Sequence, residues 1–221
     1  MRTETAGIIL HDYWRSSAAY RVRITLNLLG LPYRSEQVVT PKGDNRSAAF
    51  LKLNPQGLLP TLVLDGQVMT QSLAIIEYLN ARVPRAGLLP ADPMGQYRVR
   101  QLSHVIAMEI HPVCNLSIAT HVGALTGRGE VETRAWMRRY IPKGLAALER
   151  LLEDAPESPF CHGESPTMAD ICLVPQLYNA ARWDIPYDHL TNLARIGALA
   201  AALPAFAAAH PDAVRPEGGR A

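Results

Sequence analysis

The chain has little that would mark it for a membrane, a nucleic acid or an oxidising compartment. Its 221 residues carry a formal net charge of only +2 and no long basic run, so nucleic acid is not an expected partner. No apolar stretch reaches the roughly 18 residues that a membrane-crossing helix needs. The opening Met1-Arg2-Thr3-Glu4-Thr5 has no apolar leader core. Cysteine is scarce. Cys114, Cys161 and Cys172 are odd in number and lack metal-ligand spacing, so no metal site is expected. They fit packed thiols in a reducing, cytoplasmic setting better than a disulfide framework. Internal repeats and low-complexity blocks are also missing. What remains is long enough for one or two domains with a sizeable core.

Residues 6–84 mix strand and helix signals. Ile8-Ile9-Leu10 reads as a strand, followed by a helix to about Leu29 that Gly30-Leu31-Pro32 closes. Tyr33–Val39 reads as a second strand and Ser47–Leu53 as a short helix. Thr61-Leu62-Val63-Leu64, then Asp65-Gly66, then Gln67-Val68-Met69 is a hairpin, because Asp-Gly supplies the positive φ angles of a tight turn. Ser72–Arg82 has Leu73, Ile76 and Leu79 at helix spacing. The order is β-α-β-α-β-β-α. Residues 85–93 are rich in proline and read as a linker. Residues 94–212 have helical period almost throughout, in segments 94–123, 130–154, 167–182 and 190–202. The tail 213–221 reads as frayed. The fold class expected is therefore α+β in two domains, a small α/β domain and then an all-helical one.

Ser16 and Ser17 sit where the first strand gives way to the first helix. The first N–H groups of a helix lack internal partners and carry partial positive charge. Two hydroxyls beside such amides favour an anion. Ser72 is a candidate N-cap for its helix, preceded by Gln71. His111 and Asn115 are four residues apart on the first long helix of the second domain, a spacing that shares one face, and Pro112 between them would kink it. Arg182 closes the helix 167–182, and Arg15 precedes the serine pair. An arginine's planar fork suits a carboxylate at either place. Thr167-x-x-Asp170 is a capping box with Asp in place of Glu or Gln, so Asp170 is assigned to structure.

Four segments go further. They are Arg15-Ser16-Ser17-Ala18-Ala19-Tyr20-Arg21-Val22-Arg23-Ile24, Leu53-Asn54-Pro55-Gln56-Gly57-Leu58-Leu59-Pro60-Thr61-Leu62, Gln71-Ser72-Leu73-Ala74-Ile75-Ile76-Glu77-Tyr78-Leu79, and Thr167-Met168-Ala169-Asp170-Ile171-Cys172-Leu173-Val174-Pro175-Gln176. Together they resemble the glutathione transferase superfamily, and within it the zeta class, over residues 8–210. The resemblance implies a thioredoxin-like first domain (6–84) that binds glutathione as cofactor, an all-helical second domain, and a homodimer. It implies Ser16 as the catalytic hydroxyl beside the glutathione sulfur, with Ser17 second. It implies a cis Pro60 that turns the Leu59 backbone toward the cysteinyl group, and Gln71 and Ser72 at the γ-glutamyl carboxylate. His111 and Asn115 would help hold glutathione from the second domain, and Arg182 and Arg15 would hold a carboxylate of the small-molecule acid substrate. Two positions depart from the pattern. Ala18 stands where zeta enzymes have cysteine, which removes mixed-disulfide chemistry. Ser117 stands where one branch has arginine.

The activity so implied is glutathione-dependent cis–trans isomerisation of a maleyl-type diacid, maleylacetoacetate or maleylpyruvate, from aromatic ring cleavage: reversible thiolate addition, rotation and elimination. Lowering a thiol pKa from about 8.5 to about 6.5 raises the thiolate fraction at pH 7 from about 3% to about 75%. Nucleophilicity falls about eightfold in exchange. The net gain is a few-fold, so positioning and charge stabilisation must supply the rest. The alternatives are a general glutathione-conjugating enzyme and a non-catalytic module with the transferase fold.

Overall fold

The computed structural model describes residues 7–154 and 158–217. The opening residues 1–6, on which the expectation about a leader falls, and residues 218–221 of the expected tail lie outside them. Two compact units emerge. Gly87–Ala202 forms one, and the chain before it together with Leu203 onward forms the other.

In the first unit, β1 (Ile8–Asp12), β2 (Tyr33–Gln37), β3 (Thr61–Leu64) and β4 (Gln67–Thr70) form one sheet in the order β2-β1-β3-β4. β1 runs parallel to β2 and antiparallel to β3, and β3 pairs antiparallel with β4. The helices are α1 (Ser17–Leu28), α2 (Ala48–Leu53) and α3 (Ser72–Arg82). This is the expected β-α-β-α-β-β-α order. Local chemistry explains its joints. Gly30 takes a φ of +63°, Gly30 N–H donates to Asn27 O, and Leu31 N–H donates to Leu26 O, the paired bonds that terminate a helix in a left-handed residue. Asp65 and Gly66 both have positive φ (51° and 74°), as a two-residue hairpin turn requires. Leu10, Val22, Leu26, Leu62, Leu64, Ile75 and Leu79 make the core between sheet and helices.

A further helix, α9 (Pro204–Ala209), belongs to this unit and explains why α1 is buried on every face from Ser17 to Leu26. Arg23 Nε donates to Ala209 O (3.0 Å), Asn27 Nδ2 to Ala205 O (3.0 Å) and Tyr20 Oη to Phe206 O (3.4 Å). Beyond α9, Ala213 and Val214 N–H both donate to His210 O, and the Arg215 guanidinium lies 5.1 Å from the Trp14 ring centroid.

The second unit contains α4 (Pro93–His104), a π-helical turn (Val105–Ile110), α5 (Leu116–Leu125), α6 (Glu130–Glu153), α7 (Met168–Arg182) and α8 (Thr191–Ala201). The single helix expected over 94–123 is thus two helices. Pro112 has no N–H to donate and its ring clashes with the preceding turn, so the chain leaves the helix there and restarts at Asn115. The capping box of α7 forms as expected, with Thr167 N–H and Oγ1–H both donating to Asp170 Oδ2 (2.8 and 2.9 Å). Asp170 Oδ1 also accepts from Cys161 N–H (2.8 Å). Burial raises the Asp170 pKa above the usual carboxylate value, and these hydrogen bonds pull it back. The start of α8 has no cap of its own. Glu149, reaching from α6, accepts from Asn192 and Leu193 N–H (2.8 and 2.9 Å). Among the described residues, no helix is long and apolar enough to cross a membrane.

Candidate active site

Register brings the first unit's candidates to one end of the sheet. His11 pairs with Thr61, and Thr61 with Thr70. The C-terminal end of β1, the residues entering β3 and the residues leaving β4 therefore share an edge. Leu59 and Pro60 directly precede β3, Gln71 and Ser72 directly follow β4, and Ser16 and Ser17 follow β1 after the short turn Tyr13-Trp14-Arg15.

Ser16 is the N-cap of α1, with extended backbone, and its Oγ accepts from Ala19 N–H at 3.2 Å. A hydroxyl has one proton and two lone pairs, so a cap that uses a lone pair leaves the O–H free to donate. Ser16 is half-buried, whereas Ser17, the first residue of the helix, is buried. Of the pair, Ser16 has the better-exposed donor. The turn that carries it is braced from below. Arg23 Nη1 meets both oxygens of Asp12 (2.7 and 2.8 Å), and Nη2 donates to Trp14 O (3.0 Å). Both side chains of this ion pair are fully buried. Burial raises the Asp12 pKa, and the Arg23 charge opposes it. The Arg15 guanidinium lies 4.7 Å from the Trp14 ring centroid, so that Trp14 carries two cations, Arg15 and Arg215. Arg15 is half-buried, and its Nε has no hydrogen-bond partner among the described residues.

The Leu59–Pro60 peptide is cis. Asn54, which sequence reasoning quoted only as part of a segment, holds the loop before it. Its Nδ2 donates to Leu58 O (2.7 Å) and Thr61 Oγ1 (3.3 Å), and its Oδ1 accepts from Gln56 N–H (3.1 Å). The Asn-Pro pair after an apolar run was its only sequence signal.

Ser72 is not the N-cap of α3. That place belongs to Gln71, whose φ is +68° and whose side chain makes no capping bond, because its Nε2 donates to Gln56 Oε1 (2.9 Å). Ser72 is the first helical residue and its Oγ accepts from Arg21 Nη1 at 3.3 Å. The left-handed backbone at Gln71 has no sequence signature, since it falls on neither glycine nor asparagine. The result is a helix start that its own N-cap side chain leaves uncapped, backed by an arginine.

His111, Asn115 and Arg182 belong to the second unit. His111 ends the π turn, and its N–H reaches back five residues to Ile106 O (2.8 Å). Asn115 caps α5, with Oδ1 accepting from Ser117 N–H (3.0 Å) and Ser117 Oγ–H (2.9 Å). The two therefore do not share the face of one continuous helix, because Pro112 interrupts it. Arg182 is the exposed last residue of α7, with its guanidinium 5.9 Å from the Tyr178 ring centroid.

The chain's own sulfurs are poor nucleophiles. Burial pushes Cys114 up to about 11 and Cys161 well above the ordinary thiol value, the latter with help from Asp170. Ala18, on the second position of α1, carries no thiol at all.

Comparison with known proteins places this geometry. The family model for the glutathione S-transferase N-terminal domain matches residues 15–82, and that for the C-terminal domain matches residues 130–217. A maleylacetoacetate isomerase of Rhizobium meliloti is 52% identical over 208 residues, which is 94% of this chain and 98% of that one. A maleylpyruvate isomerase of Ralstonia sp is 38% identical over 92% of this chain and 97% of that one. Among solved structures, a holo maleylpyruvate isomerase described as a bacterial zeta-class glutathione S-transferase superposes with a TM-score of 0.91 at 38% identity, over 94% of this chain and 98% of that one. A maleylacetoacetate isomerase of Anaeromyxobacter dehalogenans with glutathione bound in its active site does so with a TM-score of 0.84 at 38% identity, over 95% and 97%. The chain belongs to the glutathione S-transferase family, in its zeta class.

Proposed function

We propose that this protein is a glutathione-dependent cis–trans isomerase of a maleyl-type diacid, maleylacetoacetate or maleylpyruvate, acting in aromatic catabolism. The observation that carries the reading is the convergence, at one end of one sheet, of a hydroxyl with a free proton (Ser16), the Leu59 backbone and an uncapped helix start (α3). These are the donor and acceptor types that a thiolate, a peptide backbone and a carboxylate require, in one small area, and so they fit glutathione. The isomerases among the relatives, matched over nearly their whole length, support the substrate class.

Bound glutathione supplies the sulfur nucleophile whose reversible addition makes the cis double bond a rotatable single one. Ser16 donates its O–H to that sulfur. Leu59 pairs its backbone with the cysteinyl group, and Gln71 and Ser72 hold the γ-glutamyl carboxylate against the start of α3. His111 and Asn115 contribute from the second unit. Arg182 and Arg15 hold substrate carboxylate, so that rotation moves only the other end. A cytoplasmic homodimer is part of the same proposal, drawn from the family.

The test is a glutathione-dependent absorbance assay on both maleyl acids with the wild type and Ser16→Ala. Acidifying the thiol is worth only a few-fold, so a larger loss measures how far the Ser16 hydroxyl also positions the sulfur; Ser16→Ala should lower turnover about tenfold or more with glutathione still bound. Turnover of a neutral electrophile with none of either acid would make the protein a general conjugating transferase. Unchanged turnover in Ser16→Ala would take Ser16 out of the mechanism.

A further inference from the structure

Arg21 is a costly residue to place where it is. It lies in the middle of α1, is 2% exposed, and is among the largest fully enclosed side chains of the molecule. A guanidinium in such surroundings loses hydration worth several kcal/mol, and compensating partners must hold it there. Arg23, two residues on, meets a carboxylate with two short bonds. Arg21 Nη1 donates to a hydroxyl, Ser72 Oγ, at the first residue of α3 (3.3 Å). That residue is itself 7% exposed, and it follows a non-glycine residue held at positive φ.

The bond has a directional consequence. A serine hydroxyl is a rotor with one proton and two lone pairs. Once a lone pair is committed to a guanidinium that can only donate, the proton must point away from it. Arg21 enters from the α1 side, so the Ser72 proton is left for a group on the other side, among the amides of the α3 start. A hydroxyl that accepts from a charged donor is polarised and becomes a better donor itself.

We propose that Arg21 is a positioning residue for glutathione. It fixes the Ser72 hydroxyl as a donor to the γ-glutamyl carboxylate, without touching the ligand. The proposal rests on the reading of α3 as the γ-glutamyl site. It separates Arg21 from the sulfur chemistry at Ser16, which takes place at the central cysteinyl residue of the tripeptide.

The experiment compares glutathione with cysteinylglycine, which has the same thiol and lacks the γ-glutamyl group, as the thiol in the isomerase assay. Arg21→Gln should lower kcat/KM with glutathione about tenfold, with KM rising by more than kcat falls, and change kcat/KM with cysteinylglycine by less than twofold. Adding Ser72→Ala to Arg21→Gln should cost much less than Ser72→Ala alone, since the two act as one unit. Arg21→Lys keeps the charge and the stem and guards against loss of the fold. It should fall between wild type and Arg21→Gln in the ratio of the two thiols. Equal losses with both thiols in the lysine and glutamine variants, or additive effects of Arg21→Gln and Ser72→Ala, would overturn the role of Arg21 and leave the proposed function standing. A wild type that uses glutathione no better than cysteinylglycine would overturn the γ-glutamyl site itself.

Discussion

At the scale of single residues, the most consequential choice is a small one: Ala18. The zeta-class resemblance implies a thiol there, and this chain has a methyl group on a buried turn of α1. Its three cysteines cannot take over. All are buried, and burial alone lifts Cys114 to about 11. The chemistry must then use a sulfur from outside the chain. Iodoacetamide at pH 8, removed before assay, should therefore leave glutathione-dependent turnover intact. Alkylation of the folded Cys114 should be slow at pH 8, rise about tenfold per pH unit with its thiolate fraction, and level off only near about 11. The sign for stability follows. Between the ordinary thiol value of 9.0 and about 11 the unfolded chain has already lost this proton while the folded chain keeps it. Stability is thus undiminished below that window and falls as pH rises through it. Rapid inactivation at pH 8 would show that one of these thiols reaches the site. The same scale also marks the limit of sequence reading. The serine pair was legible because it stood between a strand and a helix pattern. The uncapped start of α3 was not, because it depends on positive φ at a glutamine, and Arg21 was legible only as a letter in a motif.

Whole elements were easier to read where their ends carry a chemical signal. Gly30 closes α1, Asp65-Gly66 turns the hairpin and Thr167-x-x-Asp170 opens α7, each by a residue with its own conformational or hydrogen-bonding demand. Elements defined by distant contacts were missed. α9 is six residues rich in alanine, too short to show a period, and it exists because α1 offers it Arg23, Asn27 and Tyr20 as donors. The π turn before His111 is set partly by α6. At Gly144 on that helix an added Cβ would lie 2.3 and 2.5 Å from Cγ1 and Cδ1 of Ile110, the last residue of the turn. Alanine in a helix is ordinarily better than glycine by about 0.8–1.0 kcal/mol. Overpacking here costs about 1–3 kcal/mol, since Cγ1 is not a free end and cannot swing aside. The second effect wins. Gly144→Ala should lower the thermal midpoint by a few degrees and, under the proposal that His111 helps hold glutathione, should raise KM for glutathione more than it changes kcat. A rise in the midpoint with KM unchanged would mean that Ile110 repacks at no cost and that α6 does not set the turn.

For the molecule as a whole, the question is whether the site is still a binding site or only inherited architecture. Ligand that binds the folded chain alone adds RT ln(1 + [L]/Kd), about 2.7 kcal/mol at a hundredfold excess over Kd. For a chain of this size about 1 kcal/mol moves the midpoint by roughly 2–4 °C. Saturating glutathione should then raise it by roughly 5–11 °C. The groups proposed to hold the ligand contact its carboxylate and backbone as well as its sulfur. S-methylglutathione, which keeps all but the ionisable thiol, should therefore give most of that rise while supporting no turnover. Cysteinylglycine, without the γ-glutamyl end, should give much less. This order separates recognition from chemistry. A shift with glutathione but none with its S-methyl form would mean that the sulfur at Ser16 is the main anchor and that the start of α3 contributes little. No shift with any of the three would leave the transferase fold as an interaction module, because the hydroxyl, the loop backbone and the open helix start would then share an edge of the sheet without sharing a ligand.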